Sequence, residues 1–188
     1  MRTNFRKLSW GFIFVLLDIR LGFIDILPDF VGYLLILSAV RQLDRHYPGY
    51  NKAWPAAVIL CLTSLLPVGP QYSLLQQPLP PSPLWVGLTG LYQLLILALV
   101  VTIFGTLTQH ARSQSKIELA NASRNRMRLF VLLQLALLLT IPYSLNTTDT
   151  VGIIVPLSIL LLLAMILLVF LCRKAAKAFA GELTGREH

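Results

Sequence analysis

Two long segments without a charged residue limit most strongly how this chain can fold. One covers residues 84–109, and the other covers residues 151–172. An α-helix rises about 1.5 Å per residue, so about 20 apolar residues cross the roughly 30 Å hydrocarbon core of a bilayer. Both segments exceed that length, and both are apolar on all sides rather than along one face. They therefore predict transmembrane helices.

The composition points to the same class of protein. Hydrophobic residues make up 56% of the chain and charged residues only 13%, with a mean hydropathy of +0.71, whereas about a quarter of a soluble domain is charged. Cys61 and Cys172 lie in apolar segments, away from any Cys/His cluster. We therefore expect two buried thiols, no metal site and no cofactor.

We predict an all-α polytopic membrane protein, a single integral membrane domain of residues 1–188 with six transmembrane helices. The predicted spans are residues 8–19, 29–43, 53–68, 84–109, 129–145 and 151–172. The first three are shorter than a full crossing requires. The proline-rich stretch 67–83 predicts a loop, because proline cannot donate the backbone hydrogen bond that a helix needs.

The basic residues predict the orientation of these spans. Of the 16 Lys and Arg residues, 15 fall in four segments, at residues 2–7, 41–52, 112–128 and 173–186. Lys and Arg remain in cytoplasmic loops, so residues 8–40 must cross an even number of times. The first two spans then form a short hairpin, and both termini are cytoplasmic. The net charge of +8 comes from basic residues that lie between apolar segments and do not form one continuous patch. We therefore expect no nucleic-acid partner.

Three polar features outside the N-terminal region carry smaller expectations. The segment 112–128 predicts either a basic loop or a helix lying along the inner membrane surface against anionic lipid. Asp44, Arg45 and His46 predict a solvated charged face. Gln93 and Gln134 are lone polar residues in apolar spans, and they predict a hydrogen bond between helices.

The acidic N-terminal region is the candidate site. Charges within a bilayer are costly and often mark a function. Gly32 allows two helices to approach closely, and Pro28 suits the first turn of a returning helix. Tyr33 follows Asp29 by four residues and so shares its face. The candidate ligand- or ion-binding residues are Asp18, Arg20, Asp25, Asp29 and Tyr33.

Three interpretations of these residues stay open. In the first, these residues cap helices and anchor the turn. In the second, they bind a cation, a proton or an amine-bearing solute on the outer side. In the third, Asp18, Asp25 and Asp29 are the site of a metal-dependent or acid/base enzyme. Motifs of proteases, hydrolases and nucleotide-binding enzymes are absent from the sequence, so no catalytic residue is assigned. We expect a binding or accessory component of a transport system, with Asp18 as the functional carboxylate because a helix C-terminus opposes its charge.

Residues 10–43 resemble the N-terminus of an uncharacterised family of small multi-spanning membrane proteins of Gram-positive bacteria. The shared features are an aspartate in the first span, here Asp18, and an LPDFxGY-type motif, here residues 27–33. The resemblance implies a multi-pass protein of the bacterial plasma membrane and brings no activity with it. The expected partners are the lipid bilayer, a partner membrane protein and a small solute or cation.

Overall fold

The computed structural model describes residues 2–16, 20–21, 24–25, 29–65, 83–143 and 151–179, and over these ranges the fold is helical apart from one very short strand pair. This confirms the predicted all-α class. The helices are α1 Arg2–Leu16, α2 Asp29–Asp44, α3 Trp54–Thr63, α4 Pro83–Ser113, α5 Ile117–Tyr143 and α6 Val151–Ala178. A 3₁₀ turn, Tyr50–Ala53, leads into α3. Two-residue strands, Arg20–Leu21 and Ile24–Asp25, pair antiparallel between α1 and α2.

The six helices form a closed ring. Each helix packs against the next one along the chain, and α6 packs back against α1. The α1–α6 pair is antiparallel, because the Phe5 ring stacks on the Phe179 ring at 5.4 Å while Arg173 Nε donates to Ser9 Oγ at 3.4 Å. The N-terminus of α1 and the C-terminus of α6 therefore lie at the same end of the ring.

Helices α1 and α2 approach most closely at two glycines. A Cβ on Gly11 would lie 2.7 Å from Ile36 Cγ1 and 2.9 Å from the Gly32 carbonyl oxygen. A Cβ on Gly32 would lie 2.7 Å from Val15 Cγ2. Because no side chain fits at either position, the two backbones can pack directly against each other. This confirms the close approach predicted at Gly32.

Two helices are long and apolar enough to cross a membrane, within the ranges that the structure describes. They are Gly87–Ser113 of α4, with a mean hydropathy of 2.1, and Gly152–Ala178 of α6, with 3.2. Only 22% of the most apolar stretch of each is buried, whereas the core helix of a soluble protein is mostly buried. Large apolar side chains such as Leu139, which is 74% exposed, cover the outside of the bundle. This apolar surface favours membrane association.

The other described helices are too short or too charged to be identified as membrane spans. Helix length and apolarity therefore do not support the predicted six spans. Helices α1, α2 and α3 have 15, 16 and 10 residues, or about 22, 24 and 15 Å of helix. Each is shorter than a bilayer core of about 30 Å. Helix α5 has 27 residues, but its first half carries Arg124, Arg126 and Arg128.

Several helices extend beyond their predicted apolar spans, because charged residues continue the helix. Helix α1 begins at Arg2 instead of residue 8, and α6 continues to Ala178. Residues 117–128 are neither a loop nor a separate surface helix but the first turns of α5. They pack on α4, where Ser123 Oγ donates to the Phe104 carbonyl at 3.1 Å. The predicted basic loop is therefore wrong for residues 117–128, and the contact of this segment with anionic lipid stays a prediction.

The basic segments meet at one end of the ring, which we call the basic end. It contains the N-terminus of α1, the α2–α3 connection, the α4–α5 turn and the C-terminus of α6. His110 Nε2 lies 3.0 Å from the Pro48 carbonyl oxygen, and Lys116 Nζ donates to the Ala178 carbonyl at 3.0 Å. The distribution of Lys and Arg in the sequence predicted that these four segments lie on the same side. The packing of the helices brings them to the same end of the ring.

Candidate functional site

Two hydrogen-bonded pairs of polar side chains, one joining α2 with α4 and one joining α4 with α5, lie within the otherwise apolar part of the ring. We call this set, together with Asp29, the polar row; it consists of Asp29, Tyr33, Tyr92, Gln93 and Gln134. Two of its members, Asp29 and Tyr33, come from the predicted site. Along the helices, the polar row lies away from the aromatic and basic residues of the basic end.

Asp29 begins α2 and is half-buried. A carboxylate in the first helical turn is stabilised by the free backbone amides and the positive end of the helix dipole. The structure describes the side chains of three acidic residues, Asp29, Asp44 and Glu118, and the last two lie at the basic end. Among these three, Asp29 alone places a negative charge in the polar row.

The phenols of Tyr33 and Tyr92 connect α2 with α4. Tyr33 is buried and lies one turn after Asp29, and its hydroxyl is 2.9 Å from the Tyr92 hydroxyl. Helix α3 stands between α2 and α4 in the ring, so this hydrogen bond reaches across the inside of the ring. It holds the two hydroxyl groups together one helical turn after Asp29.

Gln93 and Gln134 extend the polar row to α5. Gln134 is fully buried, and its Nε2 donates to Gln93 Oε1. The hydrogen bond between helices that the sequence predicted is therefore confirmed. Gln134 Oε1 has no hydrogen-bond partner within the described residues. A buried acceptor without a partner costs free energy, so it has capacity for a bound donor.

Aromatic residues fill the inside of the ring towards the basic end. The rings of Phe12, on α1, and Phe104, on α4, stack at 5.8 Å although these helices are not neighbours. An aromatic cluster lies beyond them, made of Phe5, Tyr47, Tyr50, His110 and Phe179. The Tyr47 ring lies 5.0 Å from the His110 ring and 5.6 Å from the Phe179 ring. The polar row is thus separated from the basic end by packed rings.

Hydrogen bonds and charges hold the aromatic cluster in place. Asp44 Oδ1 accepts from the backbone amides of Gly49 and Asn51, both at 2.9 Å, so Asp44 orders the α2–α3 connection and is not simply part of a solvated face. Gly49 has φ of 114°, which favours glycine. Lys116 Nζ lies 4.1 Å from the centroid of the Phe179 ring, a cation–π contact.

Tyr50 is a buried phenol within the aromatic cluster. Burial raises the pKa of Tyr50 well above its usual value, because the phenolate would be poorly solvated there. Its hydroxyl has no hydrogen-bond partner within the part of the chain that the structure describes.

The other predicted site residues are described only in part. Asp18 lies outside the described residues. The short strands pair Arg20 with Asp25 as Cα partners. Their register brings these two backbones together in the connection between α1 and α2. No group of three or more His, Cys, Asp or Glu suited to a metal ion occurs in the described ranges, which exclude Asp18.

Tyr92 and the aromatic cluster were not predicted. Tyr92 directly precedes Gln93 in a segment without charges, and two adjacent polar residues there were a usable signal. The members of the aromatic cluster are far apart in the sequence, from Phe5 near the N-terminus to Phe179 near the C-terminus. The closure of α6 onto α1 brings them together, and no local pattern indicates that closure. Cys61 and Cys172 are free and buried, as predicted.

Comparison with known proteins identifies no relative. No protein-family model matches the chain, and searches of curated proteins and of solved structures found no significant match.

Proposed function

We propose that this chain is a multi-pass protein of the bacterial plasma membrane that binds a small cationic solute as an accessory component of a transport assembly. In this proposal the six helices cross the membrane six times, with both termini and the basic end in the cytoplasm. The N-terminal resemblance to the Gram-positive family supports the bacterial source. The activity rests on the polar row.

The proposal of six crossings rests on the order of the helices in the ring. The two helices that are long and apolar enough, α4 and α6, are separated by α5, and α5 carries an exposed apolar run that includes Leu132 and Leu139. A ring in which sequence neighbours pack side by side suits helices that cross alternately. The shorter α1, α2 and α3 would cross with residues outside the described ranges or through a locally thinner bilayer.

The observation that carries the binding proposal is the difference between the two sides of the Phe12–Phe104 pair. On one side, the polar row presents the Asp29 carboxylate, the two hydroxyls of Tyr33 and Tyr92, and the free acceptor Gln134 Oε1. On the other side, the aromatic cluster is packed. Polar groups on one side of packed rings suit a binding component better than a channel.

The chemistry of the polar row selects the class of ligand. A carboxylate attracts a cation, and an amide oxygen without a donor accepts a hydrogen bond. Burial in an apolar bundle strengthens both interactions. A small organic ammonium ion supplies a positive charge and N–H donors together. Transport across the membrane would then require a partner membrane protein, because the rings close the path through this chain.

Ligand-dependent thermal stability tests this proposal. The full chain, purified in detergent, is melted in methylammonium chloride, sodium chloride or N-methylglucamine chloride at equal ionic strength. Methylammonium is expected to raise the melting temperature, by about 2.7 kcal/mol of added stability at a concentration 100 times its Kd. Asp29→Asn should abolish this increase, because it removes the only charge that the described polar row offers a cation.

The matched control is Glu118→Gln, which removes a carboxylate exposed at the basic end. This variant should retain the full response to methylammonium. Equal responses of wild type and Asp29→Asn, or no response of the wild type, would contradict the binding proposal. Stabilisation by sodium alone would indicate a metal-ion site and exclude the requirement for N–H donors.

A further inference from the structure

Helix α1 carries a surface groove that the proposed solute site does not use. Thr3, Arg6, Lys7 and Trp10 line it, and its volume is about 380 Å³. Their spacing of three, four and seven residues places them along one stripe of the helix. Thr3 and Arg6 are exposed, Lys7 is half-buried, and the Trp10 indole is 49% exposed. The groove therefore opens to the outside of the ring.

Two positive charges, those of Arg6 and Lys7, lie in this groove without a carboxylate partner in the part of the chain that the structure describes. The Lys7 ammonium makes a long hydrogen bond of 3.4 Å to Gln42 Oε1. The nearby acidic residue at the end of α2, Asp44, already accepts two backbone amides through Oδ1. The groove thus offers two positive charges to an anion from outside the chain.

The stripe changes from basic to apolar along α1. Trp10 follows Arg6 and Lys7, and Phe14 follows Trp10, with the Trp10 and Phe14 rings 6.2 Å apart. Thr3 and Phe14 are separated by about 16 Å along the helix axis. This order, from charged groups through an indole to an apolar ring, matches the order of layers from lipid phosphates to acyl chains.

We propose that this groove binds the headgroup of an anionic phospholipid. Arg6 and Lys7 contact the phosphodiester, since guanidinium and ammonium groups donate charge-assisted hydrogen bonds to phosphate oxygens. The Thr3 hydroxyl donates to the same headgroup, and Trp10 lies at the level of the glycerol ester groups. A lipid with net negative charge, such as phosphatidylglycerol, binds better than zwitterionic phosphatidylcholine.

Quenching of Trp10 fluorescence tests the lipid site directly. Trp54→Phe and Trp85→Phe leave Trp10 as the single indole of the full chain, which is reconstituted in phosphatidylcholine vesicles. Small fractions of brominated phosphatidylglycerol or brominated phosphatidylcholine are then added. Two basic residues predict a preference of about 30-fold for the anionic lipid at this site.

Three variants keep the test specific. Arg6→Gln with Lys7→Gln should remove the preference, whereas Arg6→Lys with Lys7→Arg should keep it. The matched control, Lys174→Gln with Lys177→Gln, removes the same charge from exposed positions on α6 and should also keep it. If the tryptophan variant does not fold, native mass spectrometry of the unmodified chain gives the same comparison from the lipids that it retains.

Three results would overturn the proposal. Equal quenching by the two brominated lipids would show that Trp10 contacts bulk lipid only. Equal losses in the Arg6/Lys7 and Lys174/Lys177 variants would assign the preference to overall charge. Displacement of the lipid by free glycerol 3-phosphate would identify a site for soluble phosphate esters. The expected result is a preference that responds to Arg6 and Lys7 alone.

Discussion

The two halves of this helical ring are stabilised in different ways. At the basic end, aromatic rings from α1, α4, α6 and the α2–α3 connection are packed together and joined by hydrogen bonds to backbone groups. In the other half, much of the helix surface is apolar and exposed, and the inside carries the polar row. The basic end therefore holds the helices together, while the polar row contains the groups on which the binding proposal rests.

In the proposed topology, the two halves face different solvents, and the difference in their packing fits this. In water, burial of aromatic rings is strongly favourable, so a compact cluster at the basic end stabilises the assembled ring. Within lipid, apolar side chains gain little by contacting each other, and helix association depends on close packing and hydrogen bonds. The Gly11–Gly32 contact and the Gln93–Gln134 hydrogen bond are interactions of that kind.

The largest expected effect is at the basic end. Phe179→Ala removes a fully buried ring that stacks on Phe5 and contacts Tyr47. We expect the free energy of unfolding to fall by about 3–5 kcal/mol. Denaturant unfolding in detergent, followed by circular dichroism, measures the change.

The control for this variant is Phe170→Ala, which lies on α6, the helix that ends just before Phe179, and is 54% exposed. Its effect should stay within about 0.5 kcal/mol, as for other surface positions. Similar losses for both variants would mean that the aromatic cluster does not dominate stability.

The next effect concerns the contact between α1 and α2. Gly11→Ala would place a methyl group 2.7 Å from Ile36 Cγ1 and 2.9 Å from the Gly32 carbonyl, so the helices must separate. We expect a loss of about 2–3 kcal/mol. Gly105→Ala meets no atom within 4 Å and should be neutral or stabilising by up to about 1 kcal/mol. If the two variants unfold at the same denaturant concentration, the backbones of α1 and α2 are not in contact.

A smaller loss is expected at the α2–α3 connection. Asp44→Ala leaves the amides of Gly49 and Asn51 without their acceptor. Because Asp44 is only half-buried and water can replace it, we expect a loss of about 1.5 kcal/mol. Glu118→Ala, at an exposed carboxylate, serves as the reference in the same unfolding assay. A fully solvated Asp44 would make the two variants indistinguishable.

The smallest effect is expected at Tyr50. Tyr50→Phe removes a buried hydroxyl that has no partner among the described residues, so stability should be unchanged or higher by up to about 1 kcal/mol. Burial raises the pKa of Tyr50 in the folded chain. The neutral phenol therefore stabilises the fold below the unfolded pKa near 10, and this contribution is lost as the pH rises above it.

The measurement for Tyr50 is the stability of both proteins between pH 8 and pH 11. Wild type should lose stability above about pH 10, and Tyr50→Phe should lose less. Parallel curves would show that Tyr50 ionises as easily in the folded chain as in the unfolded one.

The sequence predicted which segments are helical better than it predicted their ends. Charge-free runs identify the lipid-facing part of a helix, and α4 and α6 were found on this basis. The first turns of α5 carry Arg124, Arg126 and Arg128, so hydropathy placed them outside the predicted transmembrane span. They are helical because Leu119, Ala120 and Ser123 on the other face are buried.

The candidate site was predictable in part. Tyr33 was found because it follows Asp29 by one helical turn, and Gln93 and Gln134 because they are polar in apolar segments. Their arrangement in one row depends on which helices are neighbours in the ring, and so does the contact between Phe5 and Phe179. Hydrophobic periodicity describes one helix at a time and does not contain that information.

Accessibility of single cysteines tests the central claim that the ring crosses the membrane six times with its basic end in the cytoplasm. Cys61 and Cys172 are buried, so they give little background. Cysteines at Ser73 and Thr148 should react with an impermeant maleimide added to intact cells. Cysteines at Ser115 and Thr184 should react only after permeabilisation. Labelling of position 115 in intact cells, or protection of position 148 until permeabilisation, would contradict the six-span arrangement.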